Sequence, residues 1–162
     1  MIESLYHIID KEKLKFHEFD LSSINLKGLY FDDYILLDKS IETTAERTCI
    51  LAEELGHYYT TTENILDQGL LHNQKEELKA RRWAANKLID PNRFVDAFKV
   101  GVRNRWELSE FLGLTEEFIE ESLVHMKAFY GEVVAINEYR IHFDPLWVYK
   151  SFEEVTYERK KD

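Results

Sequence analysis

Apolar positions follow two different periods along the chain, and the change from one to the other predicts the order of the elements. Near the N-terminus, short apolar runs flank the pair Asp32-Asp33, which predicts a β-hairpin. A helix and a further strand before it complete a region built on a small antiparallel sheet. The predicted N-terminal elements are a helix over residues 1–12, a strand over 14–21 and hairpin arms over 29–31 and 34–37.

A helical period replaces the strand pattern after Thr43. A threonine at 43–44 is a natural N-cap and Glu46 suits the first turn, so a long helix is predicted to about Tyr59. Further helices and a late return to β-branched residues favour an α+β fold with segregated elements over a parallel βαβ fold. The later predicted elements are helices over residues 74–89, 105–112 and 115–130, and a hairpin over 132–136 and 139–149.

The composition limits what the protein can bind. The chain has 162 residues, 31 of them acidic and 21 basic, and a formal net charge of −10. This charge repels phosphate backbones and anionic lipid, which argues against unspecific binding to nucleic acid or to a membrane. Cys49 is the only cysteine, so an intramolecular disulfide and a multi-cysteine zinc site are excluded.

Length and terminal patterns add two further expectations. We expect a single domain over residues 1–162, with a core over about 1–100 and a helical and hairpin extension over about 103–162. The N-terminus lacks the pattern of a signal peptide, and no apolar run reaches membrane-spanning length. We therefore expect a soluble, cytoplasmic protein.

The long predicted helix carries the motif Glu-Glu-x-x-His at residues 53–57. Residues four apart lie on one face of a helix, so Glu53 and His57 can both reach one metal ion. The familiar metallopeptidase pattern has histidine at the first position, but a carboxylate is also a zinc ligand. The alternative is a solvated polar face, because both residues lie opposite the main apolar arc of the helix. Ile50 lies among these polar residues and indicates that the face is partly covered.

The second strong helix supplies a third candidate ligand, Glu77. This residue heads a stripe of small and apolar residues, Ala80, Ala84 and Leu88, along which another helix can approach closely. A partly buried carboxylate needs a partner, and a metal ion is one such partner. The alternative is an acidic residue in the first helical turn, which the helix dipole stabilises without any chemistry.

Together these segments resemble the ImmA/IrrE family of metallopeptidases. The likeness is carried by residues 46–59, which include Leu-Ala-Glu-Glu-Leu-Gly-His. It is also carried by residues 75–88, which are similar to the family signature Glu-x-x-Ala-x-x-aromatic-Ala-x-x-Leu. A weaker likeness extends over residues 107–126, so the resemblance covers residues 25–127.

The resemblance implies a gluzincin-like core, in which a small sheet supports the motif helix and a second helix brings the last ligand. By position, Glu54 matches the general base, and His57 and Glu77 match two metal ligands. Glu53 occupies the first ligand position, where the family usually has histidine. The implied cofactor is Zn²⁺ or another divalent ion such as Mn²⁺. The implied substrate or binding partner is the helix-turn-helix repressor of a phage or mobile element.

The glutamate at position 53 has an electrostatic cost. A Glu-His-Glu set neutralises a divalent ion, whereas a His-His-Glu set leaves one positive charge, so water at the ion becomes harder to deprotonate. Three outcomes stay open: a slower metallopeptidase, an enzyme that uses another metal, and a metal-free protein that binds and sequesters the repressor. His72 is an alternative ligand, although we place it in the loop before the second helix.

Other features favour packing or protein contact over further chemistry. Residues 106–126 have the rhythm of a helix-turn-helix, but the second of these helices is rich in glutamate. Glutamates would repel phosphate, so contact with a basic protein partner is favoured over DNA reading. Cys49 is expected in the core, and Tyr58 and Tyr59 on the core side of the motif helix. The tail at 157–162 is expected to fray.

Overall fold

The computed structural model describes residues 1–61 and 70–151, and the side chains of residues 70–73 are also outside the description. The described residues form six α-helices and two three-stranded sheets, which confirms the α+β class. The predicted behaviour of the tail falls on residues outside this description. The helices are α1 (Ile2–Glu12), α2 (Thr44–Thr60), α3 (Leu70–Leu88), α4 (Asn92–Lys99), α5 (Arg105–Leu112) and α6 (Glu116–Tyr130).

The N-terminal sheet is built from the predicted strand and hairpin. Asp32 and Asp33 form the hairpin turn with φ values of 48° and 65°, the left-handed region that a two-residue hairpin turn requires. The two hairpin strands pair antiparallel as expected, whereas the first strand pairs with the third in the parallel direction. The strands are β1 (Lys15–Phe19), β2 (Gly28–Phe31) and β3 (Tyr34–Asp38), in the order β1-β3-β2.

Helix α2 lies against this sheet and begins as predicted. The side chain of Thr43 accepts a hydrogen bond from the backbone N–H of Glu46 at 3.1 Å, which caps the first turn. The apolar arc of the helix is fully buried at Leu51 and Leu55, and it joins a core that includes Ile35 and Leu37 of β3. The central strand and the motif helix are therefore held by the same apolar core.

Helices α2 and α3 approach each other closely at Gly56. A Cβ at this position would overlap the backbone of Ala80 and lie 2.9 Å from its carbonyl carbon. Ala80 and Ala84 are both completely buried, as the stripe of small residues predicts. Small side chains on both helices thus bring their backbones together, and this contact fixes the polar side chains one turn further along.

The part of the chain after α3 contains one more helix and one more strand than the sequence predicts. Helix α4 was not predicted, and the segment over 139–149 is two strands separated at Asp144-Pro145, a cis peptide bond. The strands are β4 (Val133–Ile136), β5 (Tyr139–Phe143) and β6 (Leu146–Lys150), all antiparallel in that order. A cleft of about 880 Å³ lies between this sheet and α4, α5 and α6. None of the described helices combines the length and apolarity that crossing a membrane requires.

Candidate active site

The polar face of α2 is covered rather than solvated. Glu54 is 8% exposed, and Glu53 and His57 are only partly exposed. The covering elements are the sheet on one side and α3 on the other. The interpretation of this face as an ordinary solvated surface is therefore wrong, and the indication from Ile50, which packs against the core, is confirmed.

Helix α3 brings Glu77 to His57. The Oε2 atom of Glu77 lies 3.2 Å from Nε2 of His57. The description of α3 begins at Leu70, so Glu77 lies well beyond the first helical turn, and the explanation from the helix dipole is wrong. The same helix includes His72 at its beginning, so the prediction that His72 lies in a loop is also wrong; its side chain is outside the described residues.

Glu54 lies under strand β2, away from solvent. A Cβ added at Gly28 would meet both the carboxylate of Glu54 and the side chain of Ile50, so only glycine leaves room for this acid. Burial raises the pKa of Glu54 to about 7, against a smaller lowering by His57 and by a hydrogen bond from the backbone N–H of Tyr30. The carboxyl group is therefore balanced between its two protonation states near neutral pH.

Glu53 lies on the other side of the motif helix, towards α6. Burial raises the pKa of Glu53 to about 7; the nearby cation of Arg81 opposes this shift, and the carboxylates of Glu121 and Glu77 add to it. Burial therefore disfavours the ionised forms of two neighbouring acids on α2. A bound cation would favour their ionised forms.

The pair formed by His57 and Glu77 has the opposite character. Burial by itself lowers the pKa of His57, but the hydrogen bond to Glu77 and the charges of Glu54, Glu77 and Glu53 outweigh it and raise the pKa. The same hydrogen bond holds the pKa of Glu77 below its usual value, with support from Arg81. These two side chains therefore stabilise each other as an ion pair.

Arg81 connects the site to α6. Its Nε atom lies 3.4 Å from Oε1 of Glu77, and its Nη1 atom lies 3.2 Å from Oε2 and 3.3 Å from Oε1 of Glu121. The contact with α6 carries no signal in the sequence of either helix. No local signal could have found it, because the two residues are 40 positions apart.

The other predicted features near the motif have mixed outcomes. Cys49 is buried in the core as expected, and burial raises the pKa of its thiol to about 11. Tyr58 is partly buried, but Tyr59 is 44% exposed, so its expected place on the core side is wrong. Tyr59 instead stacks on Trp83, and the hydroxyl groups of both tyrosines donate to Glu12.

The residues present provide part of a metal site. Two ligand atoms bound tetrahedrally to zinc lie about 3.3 Å apart, so the 3.2 Å between His57 and Glu77 suits two ligands of one ion. The raised pKa values of the two acids on α2 also suit a cation. Among the side chains that the structure describes, those of residues 1–61 and 74–151, however, no three His, Cys, Asp or Glu are grouped so as to hold a metal. Glu53 as third ligand stays a prediction.

Two packed helices hold a buried glutamate next to a histidine–glutamate pair, and these residue types suit a metallopeptidase-like site. The IrrE N-terminal-like domain of the Peptidase M78 family matches residues 9–124, which include α2, α3 and most of α6. The chain therefore belongs to the Peptidase M78 family, as the resemblance to the ImmA/IrrE family implied. No curated protein and no solved structure gives a significant match to the chain.

Proposed function

We propose that the protein is a metal-dependent endopeptidase that cleaves a helix-turn-helix repressor encoded by a phage or mobile element. The observation that carries the proposal is the placement of Glu54. This buried carboxyl group, with its pKa raised to about 7, lies one helical turn from the pair formed by His57 and Glu77. A general base for peptide hydrolysis needs a pKa near the working pH, and burial supplies it here.

His57 and Glu77 would hold the metal ion, with Glu53 as the third ligand. A divalent ion bound there supplies a Lewis acid that lowers the pKa of water and stabilises negative charge on an oxygen. The contribution of the protein is to fix the ligands from two helices whose backbones meet at Gly56 and Ala80. The negative charge of Glu53 makes oxygen-preferring ions such as Mn²⁺ better candidates here than in a site with two histidines.

Glu54 would move the proton during hydrolysis. Its carboxylate takes a proton from the attacking water, whose oxygen bonds to the peptide carbon. The C–N bond then breaks, and Glu54 returns the proton to the leaving amine. The backbone N–H of Tyr30 holds the carboxylate in place during both transfers.

The edge of the N-terminal sheet gives an extended substrate a place to bind. Strand β2 is an edge strand of the sheet as described, and Gly28 and Tyr30 in this strand contact Glu54. A peptide that pairs with such an edge lies along it by main-chain hydrogen bonds. A net charge of −10 suits a basic DNA-binding protein as the partner.

One observation favours the alternative, a metal-free protein that binds and sequesters the repressor. Arg81 already supplies a positive charge to Glu77 and to the surroundings of Glu53. A site whose acids are satisfied by an arginine can persist without a metal ion. This alternative predicts a stable complex with the repressor, no bound metal and no cleaved fragments.

The test is to mix the purified protein with the repressor encoded beside it and to follow cleavage by mass spectrometry. Glu54→Gln keeps the shape of the side chain but removes its ability to accept a proton, and should lower the rate by about 10²-fold or more. Glu46→Gln, in the first turn of the same helix, is the matched control for loss of one charge. Equal cleavage by the wild type and Glu54→Gln would contradict the proposal.

A further inference from the structure

The guanidinium of Arg81 faces acids on three helices around the site, α2, α3 and α6. It lies between Glu77 on its own helix and Glu121 on α6, and it is the strongest charge favouring the ionised form of Glu53 on α2. Its Nε atom is buried and makes no hydrogen bond within the described residues, although it lies 3.4 Å from Glu77. The contact with Glu77 is therefore electrostatic and looser than the contact with Glu121.

The carboxylate of Glu77 is divided between two partners. Its Oε2 atom faces His57 at 3.2 Å, and its Oε1 atom faces Arg81 at 3.4 Å. A divalent cation bound by His57 and Glu77 would lie in the field of this guanidinium and be repelled by it. Arg81 and a divalent cation consequently compete for the same negative charge.

We propose that Arg81 is a built-in counter-ion that competes with a divalent cation for Glu77, and that Glu121 sets the balance by holding the guanidinium towards α6. The inference rests on the metal site of the proposed function. Glu121 offers Arg81 two carboxylate oxygens, at 3.2 Å and 3.3 Å, so the arginine keeps a partner when Glu77 turns to a metal ion. Arg81 is in this account a positioning residue, not a catalytic one.

The test measures Zn²⁺ affinity directly, by competition with a chromophoric chelator at fixed pH and ionic strength. Arg81→Gln removes the competing charge and should tighten Zn²⁺ binding about tenfold. Glu121→Gln leaves the guanidinium without its partner on α6 and should weaken Zn²⁺ binding. In the Arg81→Gln background the effect of Glu121→Gln should shrink, because the charge that Glu121 restrains is then absent.

Two variants separate this role from a structural one. Arg81→Lys keeps the positive charge and should retain an affinity closer to the wild type than that of Arg81→Gln. Arg82→Gln removes an exposed charge from the next position of the same helix and should change the affinity less than about twofold. A variant that merely unfolded the site would bind Zn²⁺ more weakly, whereas the expected change for Arg81→Gln is tighter binding.

The outcomes distinguish this inference from the proposed function. Zn²⁺ binding by Arg81→Gln that is tighter than binding by the wild type supports the inference, including the case in which only the variant binds. Zn²⁺ binding by the wild type with equal or weaker binding by Arg81→Gln overturns the counter-ion role and leaves the metal site standing. An absence of binding in every variant overturns the metal site itself.

Discussion

The α2–α3 site and the C-terminal cleft differ in whether their charged side chains are buried or exposed. In the site, acids on α2 are buried, and the pKa values of Glu53 and Glu54 are raised to about 7. In the cleft, exposed charges at the rim are paired, as in the contact of Lys127 with Asp144 at 3.3 Å. The cleft is large and mostly apolar, yet none of the ionisable residues that line it is buried, whereas buried ionisable groups are what indicates catalysis. Cavity volume alone is therefore a poor guide to the chemistry here.

The family match covers the whole of the site but only part of the cleft. Residues 9–124 contain every residue of the candidate site, whereas the wall of the cleft formed by β5 and β6 lies beyond the match. The charged site is thus part of the shared peptidase domain, and the second sheet adds a surface to it. Substitutions in each region test whether the two can be disturbed separately.

The largest expected effect is a dependence of stability on pH that originates in the site. Because the pKa of Glu54 is about 7 in the folded protein and near 4.5 unfolded, its stability contribution is greatest below pH 4.5 and is lost as the pH rises to 7. The loss from this residue is about 3 kcal/mol. The raised pKa values of Glu53 and His57 act in the same direction.

Urea unfolding of the protein freed of metal by a chelator, at a series of pH values, measures this effect. Glu54→Gln cannot ionise, so it should flatten the curve and unfold at higher urea than the wild type at pH 8. Glu46→Gln controls for the change in net charge. A wild-type stability that is constant or rises between pH 5 and 7 would show that the acids of α2 are not buried as described.

The next effect concerns the contact that positions the site. Gly56→Ala places a methyl group against the backbone of Ala80, which cannot move aside like a flexible side chain, and should cost about 2 to 3 kcal/mol. Gly113→Ala is the matched change between α5 and α6, where the space is open but φ is +68°, and should cost about 1 kcal/mol. Thermal unfolding of both variants gives the comparison, and a smaller loss for Gly56→Ala would contradict the close packing of α2 on α3.

The smallest effect is expected in the cleft. Trp147 is 65% exposed on its wall, so Trp147→Ala should lower the free energy of unfolding by less than about 1 kcal/mol. The variant should also cleave the repressor at the rate of the wild type, because the residue lies outside the site. A loss of cleavage in the folded variant would assign the cleft to substrate binding and end the separation of the two regions.

Much of the fold could be predicted because its signals are local. The N-cap at Thr43, the Asp32-Asp33 turn and the helical spacing of Ala80 and Ala84 each depend on neighbouring residues, and each is confirmed. Helix α4 could not be predicted, because it has only eight residues and follows Pro91. A proline at this place is typical of the residues just beyond the end of a helix, so it does not indicate that another helix begins. The parallel pairing of β1 with β3 depends on tertiary packing, which strand patterns do not encode.

In the candidate site, too, some features could be predicted from local patterns and others depend on tertiary packing. The spacing of Glu53 and His57 placed both on one face of α2, and the stripe behind Glu77 predicted the approach of α3. The burial of Glu54 under Gly28 could not be predicted, because it depends on which strand lies over the helix. The contact between Arg81 and Glu121 likewise joins two helices that no local pattern connects.

The central claim is that His57 and Glu77 belong to a divalent metal site, and metal content tests it most directly. Protein purified without chelator should contain about one divalent ion per chain by elemental analysis, and His57→Ala should lose it while remaining folded. Wild-type protein that contains no metal, with no uptake of added Zn²⁺ or Mn²⁺ by the wild type or by Arg81→Gln, would contradict the claim.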